Sequence, residues 1–306
     1  MDRRLRLALA LTAALGTAGL ALADPLSPIV AGRWLPKDAD HARLLTERQA
    51  ECISLPREAE RAWQVEVGRA AFRSPHILGG DAAALGLSCE SCHRNGRGHP
   101  QFFFPGLSGE PGTADVTSSL MSAHRGDGID NPKEIPDLGG PGKGLVVPQN
   151  RDRPNLRAFL LGAITQEFDG IAPSDAVLEG LAEYMRAMKP DYCPRAGVVP
   201  ITLSADMADA RRAALAAKGA WARKDPATAL VLVDAARAML GRVHERYGSL
   251  PAEAALIRAS DSALAKANDP RAIDAWLKQS RTLEAELARS EKASLYERAV
   301  LAKALS

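Results

Sequence analysis

The sequence predicts a mainly α-helical protein in which a loop-rich domain precedes a helical bundle. Glycine and proline are concentrated between residues 79 and 173, in stretches such as Pro105–Gly112 and Leu138–Gly144, and these residues favour turns and loops. From Ser204 to the C-terminus the chain is rich in Ala, Leu and Arg with few helix breakers, which predicts helices throughout. The length of 306 residues suits two domains.

The first 23 residues have the pattern of a secretory signal peptide. Three arginines among the first six residues precede an apolar run over residues 7–22, and Ala21-Leu22-Ala23 is a typical cleavage site. The pattern predicts an exported, soluble, periplasmic protein whose mature chain starts at Asp24, with an N-terminal extension over residues 24–57. The alternative is an uncleaved anchor, but the run is short and interrupted. We therefore expect no stable membrane insertion after cleavage.

Two amphipathic segments of the loop-rich part are predicted to be helices. Glu58–Arg73 places apolar residues among charged ones, and it ends at Ser74-Pro75 because the residue before a proline disfavours helical geometry. Ser174–Met188 follows Pro173 and repeats apolar residues at spacings of three and four. A segment of this length with so few helices buries little core by itself.

Residues 204–306 are predicted to form four or five helices, arranged as a bundle or as stacked hairpins. Asp225-Pro226 and Asp269-Pro270 each place an N-cap acid before a proline at the first helical position, and Gly248–Pro251 marks another break. No catalytic constellation appears here, so these helices are candidates for self-association or for docking a partner. The helix from Pro226 carries an amphipathic stripe made of Leu230, Val233, Ala236, Leu240, Val243 and Tyr247.

The most specific feature of the chain is the run Cys89-Glu90-Ser91-Cys92-His93. A Cys-x-x-Cys-His pattern is typical of covalent haem c attachment, because two thiols at this spacing can bond one haem and the adjoining imidazole can bind its iron as the proximal ligand. Zinc is an alternative, but it needs four ligands and the chain has no second Cys-x-x-Cys. A dithiol redox pair is another, but the flanks lack the strand and helix that it requires. One covalent haem c would also supply an apolar core for the surrounding loops.

The two remaining cysteines, Cys52 and Cys193, flank the segment that carries the haem motif. An even pair of cysteines in an exported protein predicts a disulfide. Closing so long a loop contributes about 5 kcal/mol on simple chain-entropy grounds. The alternative is two unrelated buried thiols.

The segment from residue 58 to residue 193 resembles a class I cytochrome c domain. Gly68-Arg69-Ala70-Ala71-Phe72 is similar to the Gly-x-x-x-aromatic pattern of that family's N-terminal helix, and Leu181-Ala182-Glu183-Tyr184 is similar to the Leu-x-x-Tyr pattern of its C-terminal helix. The resemblance implies that the two helices cross at the glycine with their aromatic rings stacked beside it. Such a crossing would also bring Cys52 and Cys193 to neighbouring helix ends.

Two further segments resemble the bacterial di-haem cytochrome c peroxidase group. They are Gln166-Glu167-Phe168-Asp169-Gly170 and Arg125-Gly126-Asp127-Gly128. The chain departs from that group because it has one haem motif where a di-haem peroxidase needs two. It also departs from simple electron carriers, which usually place a methionine ligand in the loop before the last helix, since no methionine lies between Met121 and Met185.

Several side chains are candidates for the sixth, distal position of the iron. Met121 is preferred and His124 is its alternative, because both lie on a loop with enough chain to reach the distal side. His99 and His76 are further candidates, and an open or water-bound position is the remaining one. The other two methionines in this half, Met185 and Met188, have core spacing on the last helix and are expected to pack.

Two groups of residues near the motif have candidate roles beside the haem. Arg94 and Arg97 suit the haem propionates, since guanidinium pairs with carboxylate, although an arginine is more often simply a solvated charge. The aromatic run Phe102–Phe104 is interpreted as lining of the haem pocket, with a partner-docking patch as the alternative.

The sequence therefore favours a mono-haem c-type cytochrome that passes single electrons between redox partner proteins. The alternative is a peroxidase-like enzyme or a sensor of peroxide or a small gas, for which Glu110, His124 and Arg125 are the nearby proton-transfer candidates. A scaffold role for the bundle is a third hypothesis, and no catalytic residue is assigned. The balance of 39 basic and 37 acidic residues gives no strong field for nucleic acid or acidic lipid.

Overall fold

The computed structural model describes residues 27–124, 126–139 and 153–306. The predicted signal peptide, Arg125 and the stretch from residue 140 to residue 152 lie outside the described residues. Within them the protein is mainly α-helical, which confirms the predicted class, and its strands are only two or three residues long. In these parts of the chain no helix has the length and apolar composition needed to cross a bilayer.

The described residues contain eleven α-helices. Four precede or carry the haem motif, two follow it, and five make up the C-terminal part, as predicted. In chain order they are α1 (His41–Leu44), α2 (Ala59–Phe72), α3 (Gly80–Leu85), α4 (Cys89–Cys92), α5 (Arg153–Gly162), α6 (Asp175–Ala187), α7 (Leu203–Ala222), α8 (Pro226–Arg246), α9 (Pro251–Ala265), α10 (Pro270–Leu287) and α11 (Arg298–Leu305).

The strands form three short antiparallel pairs rather than a larger sheet. The first pair joins the N-terminal extension to the chain after α6 and aligns Glu47 with Pro200. The second is a tight hairpin directly after the haem motif, and the third closes the loop that follows. The pairs are β1 (Glu47–Gln49) with β6 (Val198–Pro200), β2 (His93–Arg94) with β3 (Arg97–Gly98), and β4 (Thr113–Ala114) with β5 (Lys133–Glu134).

Helices α2 and α6 cross in direct backbone contact at two glycines. A Cβ atom added at Gly68 would overlap the carbonyl group of Gly180, so only hydrogen fits there. One turn further along α2, the ring of Phe72 lies 5.3 Å from the ring of Tyr184 in an edge-on arrangement. This geometry favours aromatic pairs because the positive ring edge meets the negative face. The crossing that the resemblance implied is present, and the two rings lie beside it, edge-on rather than stacked.

The crossing predicts a large difference between two helical glycines. Gly68→Val should destabilise the protein by about 3 kcal/mol or more, because its side chain would force α2 away from the backbone of α6. Gly241→Ala on α8 is the matched control, since nothing lies within 4 Å of a Cβ atom there. It should leave the free energy of unfolding unchanged or raise it by up to about 1 kcal/mol. Urea unfolding followed by circular dichroism measures both, and equal effects would contradict the crossing.

Cys52 and Cys193 are joined in a disulfide, which confirms the predicted pair. Their Cα atoms are 4.0 Å apart. The N-terminal extension runs beside the end of α6 here, because the amide of Lys189 donates to the carbonyl of Cys52 at 2.9 Å and Ile53 pairs with Met188. The covalent bond thus fastens the extension to the far end of the helix that crosses α2.

The C-terminal helices begin where their caps were predicted. The carboxylate of Asp225 accepts from the amide of Thr228, and the carboxylate of Asp269 accepts from two amides of the first turn of α10. The predicted stripe of α8 is buried except for Leu230, which is 53% exposed. Leu230 lies in the second turn of α8, so the prediction was wrong for this residue and the buried stripe begins at Val233. Helix α2 contacts α7 and α8 as well as α6.

Helix α5 was not predicted, since it lies inside the Gly- and Pro-rich region assigned to loops. Its second residue is Pro154, which is tolerated because the first turn of a helix has no internal partner for that nitrogen. Leu156, Leu160 and Ile164 then follow at intervals of four residues and are all buried. The helix continues as a wider π turn over Ala163–Glu167. Its apolar spacing is the signal that the prolines and glycines around it obscured.

Candidate functional site

The Cys-x-x-Cys-His motif, for which the sequence predicts haem attachment, begins on the short helix α4. Ser88 and Ser91 cap its start reciprocally, and the amide of Ser88 donates to the hydroxyl of Ser91 at 3.0 Å. Residues three apart lie on one side of a helix, so the thiols of Cys89 and Cys92 share a face. Both are free cysteines that pack against the main hydrophobic core. The motif therefore presents two adjacent thiols to an apolar interior.

His93 is held in one orientation by a backbone carbonyl. Its Nδ1 lies 3.0 Å from the carbonyl oxygen of Pro136. Because a carbonyl can only accept, Nδ1 carries the proton and Nε2 keeps a free lone pair. Burial lowers the pKa of the imidazole to about 4, against a smaller opposing effect of the bond to Pro136. At neutral pH the side chain is thus a neutral imidazole of the tautomer that binds a metal ion through Nε2.

A two-residue hairpin turns the chain immediately after His93. Asn95 and Gly96 have φ angles of 54° and 71°, the left-handed values that a type I′ turn requires, and Asn-Gly is the pair best suited to it. The turn pairs His93 with Gly98 in the β2–β3 ladder. A side chain at Gly96 would also collide with the sulfur of Met188. The residue identities at the turn thus fix the backbone that carries His93.

The two thiols are chemically unlike a redox-active pair. Burial raises the pKa of both Cys89 and Cys92 to about 12, whereas reactive dithiols have a depressed pKa. The zinc alternative requires four ligands. In the described parts of the chain, no three His, Cys, Asp or Glu side chains come together as a candidate metal site.

A buried arginine at the end of α2 connects the motif to the rest of the domain. The side chain of Arg73 is 1% exposed, and its Nη2 donates to Glu51 at 3.0 Å and to the side-chain oxygen of Asn95 at 2.8 Å. The hydroxyl of Tyr184 donates to the same oxygen of Glu51 at 2.6 Å, and Arg69 pairs with the other. One cluster therefore joins the N-terminal extension, both crossing helices and the hairpin turn after His93.

The cluster extends into the haem motif itself. The Oε2 atom of Glu90 accepts from the amide of Asn95 at 3.0 Å and lies 3.7 Å from Nε of Arg73. Burial acts to raise the pKa of Glu51, but the positive charges of Arg73 and Arg69 outweigh it and hold that pKa below its ordinary value. Glu90, the first residue between the two cysteines, thus connects the motif to Arg73 and to the hairpin turn.

Replacing Arg73 should therefore be costly. Arg73→Met should destabilise the protein by about 3 to 5 kcal/mol, because the carboxylates of Glu51 and Glu90 would stay buried without their cation. Arg237→Met is the control, since Arg237 forms an exposed pair with Asp261 that contributes at most about 1 kcal/mol. Urea unfolding at neutral pH measures both, and a loss below 1 kcal/mol for Arg73→Met would exclude the proposed role.

The same cluster gives a pH signature. A carboxyl with a depressed folded pKa stabilises the protein above its unfolded pKa, and that stabilisation is lost as the pH falls through the folded pKa. The wild-type protein should therefore lose stability below the ordinary range of glutamate, and Glu51→Gln should flatten this part of the curve.

The distal candidates differ in their burial. Met121 is 1% exposed and belongs to the main hydrophobic core, whereas the side chain of His124 is 59% exposed and faces Asp169 at 3.7 Å. His76 is exposed at the start of a short turn after α2. His99 is buried, but its Nδ1 accepts from the amide of Gln101. Met121 is thus the candidate whose side chain already lies in the apolar interior.

The loop that carries Met121 is fixed by Asp169. The carboxylate of Asp169 accepts from the amide of Ala123 at 2.8 Å and from the hydroxyl of Ser122 at 3.2 Å. The same hydroxyl also donates to the carbonyl of Gln166. Asp169 itself has a φ angle of 53°, a left-handed conformation that aspartate tolerates better than most residues. The segment Gln166–Gly170 therefore positions the Met121 loop.

The remaining predicted residues have partners within the protein. Arg97 binds both carboxylate oxygens of Asp137 through Nε, at 2.7 and 3.0 Å. Arg94 donates to the carbonyl of Leu44 at 2.7 Å. In the aromatic run, Phe102 is fully buried and Phe104 packs against Trp34 with 5.3 Å between ring centroids. A role at the haem for these residues stays a prediction.

Sequence reasoning missed the residues that position the motif rather than form it. Glu51, Arg73 and Asp169 act through long-range contacts that no local pattern announces. The Asn95-Gly96 pair was readable, because Asn-Gly is the strongest short signal for a two-residue hairpin. No protein-family model, curated protein or solved structure matches the chain.

Proposed function

We propose that the chain is an exported mono-haem c-type cytochrome of the class I type that transfers single electrons between redox partner proteins. The observation that carries the proposal is the state of the Cys-x-x-Cys-His motif. Its two thiols share one face against an apolar interior, and the bond from Nδ1 of His93 to Pro136 leaves Nε2 free for iron. These are the groups that covalent haem attachment and proximal ligation need.

Each residue of the site has a separate task. Cys89 and Cys92 would hold the haem through thioether bonds, and His93 would bind its iron. The bound haem would supply a centre that gains and loses one electron. Pro136 keeps the His93 ring from turning. The disulfide between Cys52 and Cys193 supports export, since such bonds persist in oxidising compartments.

Met121 is proposed as the distal ligand in preference to His124. A thioether in an apolar interior suits haem iron and raises its reduction potential. His124 would have to leave solvent and the carboxylate of Asp169 to reach the same place. Asp169 fixes the Met121 loop through Ser122 and Ala123, so little chain entropy remains to be lost when Met121 binds.

The peroxidase-like alternative has less support. Proton transfer at a distal site needs an acid or base within hydrogen-bond reach of the reacting group. Of the candidates, Glu110 and His124 are both exposed, and Arg125 lies outside the described residues. Single-electron transfer does not require an acid or base at the distal site.

Covalent haem is the first expected outcome. Protein purified from a periplasm competent for cytochrome maturation should keep its haem after denaturation and give a c-type pyridine haemochrome spectrum. Cys89→Ala combined with Cys92→Ala should lose the covalent haem, whereas Cys52→Ala combined with Cys193→Ala should retain it in a less stable protein. A colourless wild-type protein that binds one zinc ion would overturn the proposal.

The sixth ligand separates electron transfer from catalysis. Wild-type oxidised protein should be low-spin and show the weak far-red band of iron–thioether ligation, and Met121→Ala should abolish the band and lower the reduction potential. Met185→Ala is the control, because Met185 is buried on α6 and should affect packing alone. A band-free bis-imidazole spectrum that His124→Ala turns high-spin would assign His124 instead. A high-spin wild-type protein that binds carbon monoxide rapidly would favour the enzyme or sensor.

A further inference from the structure

A cavity of about 280 Å³ lies behind the haem motif, between the N-terminal extension, α4 and α8. Neither cysteine of the motif nor His93 contributes to its wall, whereas Glu90 and Ser91, on the opposite side of α4, both do. It is therefore distinct from the side to which the thiols point. We call it the arginine cavity, after the residues that define it, which are Arg48, Arg94, Arg242, Arg246, His99 and Trp34.

Three of these arginines lack a direct counter-ion. Arg94, Arg242 and Arg246 donate only to backbone carbonyls, at 2.7 Å from Arg94, 2.6 Å from Arg242, and 2.8 and 2.6 Å from Arg246. Across the described residues, no carboxylate oxygen forms an ion pair with any of the three. A carbonyl satisfies a donor but leaves the positive charge in place, and an arginine fork is well matched to a carboxylate.

The acids that line the cavity are bound to other donors. Glu90 accepts from the amide of Asn95, Asp206 from the hydroxyl of Tyr296 at 2.8 Å, and Glu245 from the amide of Val30 at 3.2 Å. Two of the charges are paired outside the cavity, since Arg48 lies 3.7 Å from Asp209 and Glu90 lies 3.7 Å from Arg73. Three guanidinium groups, those of Arg94, Arg242 and Arg246, thus face the two carboxylates of Asp206 and Glu245. The difference is one positive charge, which a singly charged anion would balance.

His99 adds an unpartnered donor to the wall. Its Nδ1 accepts from the amide of Gln101 at 3.2 Å, so Nε2 carries the proton. The residue is 8% exposed, and none of the described residues accepts from Nε2. An anion in the arginine cavity would give this donor an acceptor.

We propose that the arginine cavity binds a small monocarboxylate with an apolar body. Arg242, Arg94 and the Nε2–H group of His99 would bind the carboxylate, and Ile29 and Trp34 would cover the apolar part. The volume is close to the lower end of small-molecule pockets, roughly 300 Å³, which limits the ligand to a compact molecule. The proposal concerns a site other than the haem and does not depend on the proposed electron transfer.

Isothermal titration calorimetry on the mature full-length protein tests the site directly. Benzoate is the probe, benzyl alcohol is the neutral probe with the same apolar body, and inorganic phosphate is the anion without one. Benzoate should bind at least ten-fold more tightly than either. Equal binding of benzyl alcohol would refute the role of charge, tighter binding of phosphate would refute the apolar part, and no binding of benzoate would refute the site.

Substitutions on α8 test whether Arg242 supplies the positive charge that binds benzoate. Arg242→Gln should weaken benzoate binding at least ten-fold, and Arg242→Lys should restore most of it because the charge remains. Arg237→Gln on the same helix is the matched control, since that arginine pairs with Asp261 outside the arginine cavity. If Arg237→Gln weakens binding as much as Arg242→Gln, the assignment is wrong. The comparison of the three probes on wild-type protein stands even where a variant fails to fold.

Discussion

The buried guanidinium of Arg73 is the interaction on which the rest of the domain depends. A charge with 1% exposure is tolerated only when partners replace the water that it has lost. Those partners come from three directions: Glu51 from the extension, Asn95 from the hairpin after the haem motif, and Glu90 from within the motif. Because these partners are far apart in sequence, the hydrogen bonds of Nη2 and the charge of Arg73 fix the mutual positions of segments that have little regular structure of their own. Nε and Nη1 of Arg73 form no hydrogen bond with the described residues.

The crossing of α2 and α6 and the Arg73 cluster support each other. Contact at Gly68 and Gly180 sets the distance between the helices, and the Phe72 and Tyr184 rings fill the space beside it. The hydroxyl of Tyr184 donates to Glu51, so the same side chain belongs to both the apolar helix crossing and the polar cluster. The disulfide fastens the same extension at the other end of α6. Loops that carry the haem motif are thus attached to a rigid pair of helices at both ends.

The sequence predicted what depends on neighbouring residues and missed what depends on distant ones. Glu58–Arg73 was predicted as a helix and is observed as Ala59–Phe72 with those two residues as caps, because periodicity and a following proline are local signals. The aspartate caps of α8 and α10 were equally readable. The contacts of Arg73 with Glu51 and of Asp169 with the Met121 loop join residues that are far apart in sequence. The local sequence around one partner therefore does not predict the other. The position of Met121, the preferred sixth ligand, depends on the contact with Asp169, so the sequence alone left several candidates for that ligand.

Helix α4 separates two environments of opposite character. The cysteines pack against the apolar core, while Glu90 and Ser91 face a cavity with an excess of positive charge. Arg94 belongs to the cavity and is joined to His93 by a single peptide bond, so the two sites are electrostatically close. A positive environment disfavours the more highly charged, oxidised form of a nearby redox centre. If the proposed haem is bound, a monocarboxylate in the arginine cavity would offset that effect and lower the reduction potential of the haem.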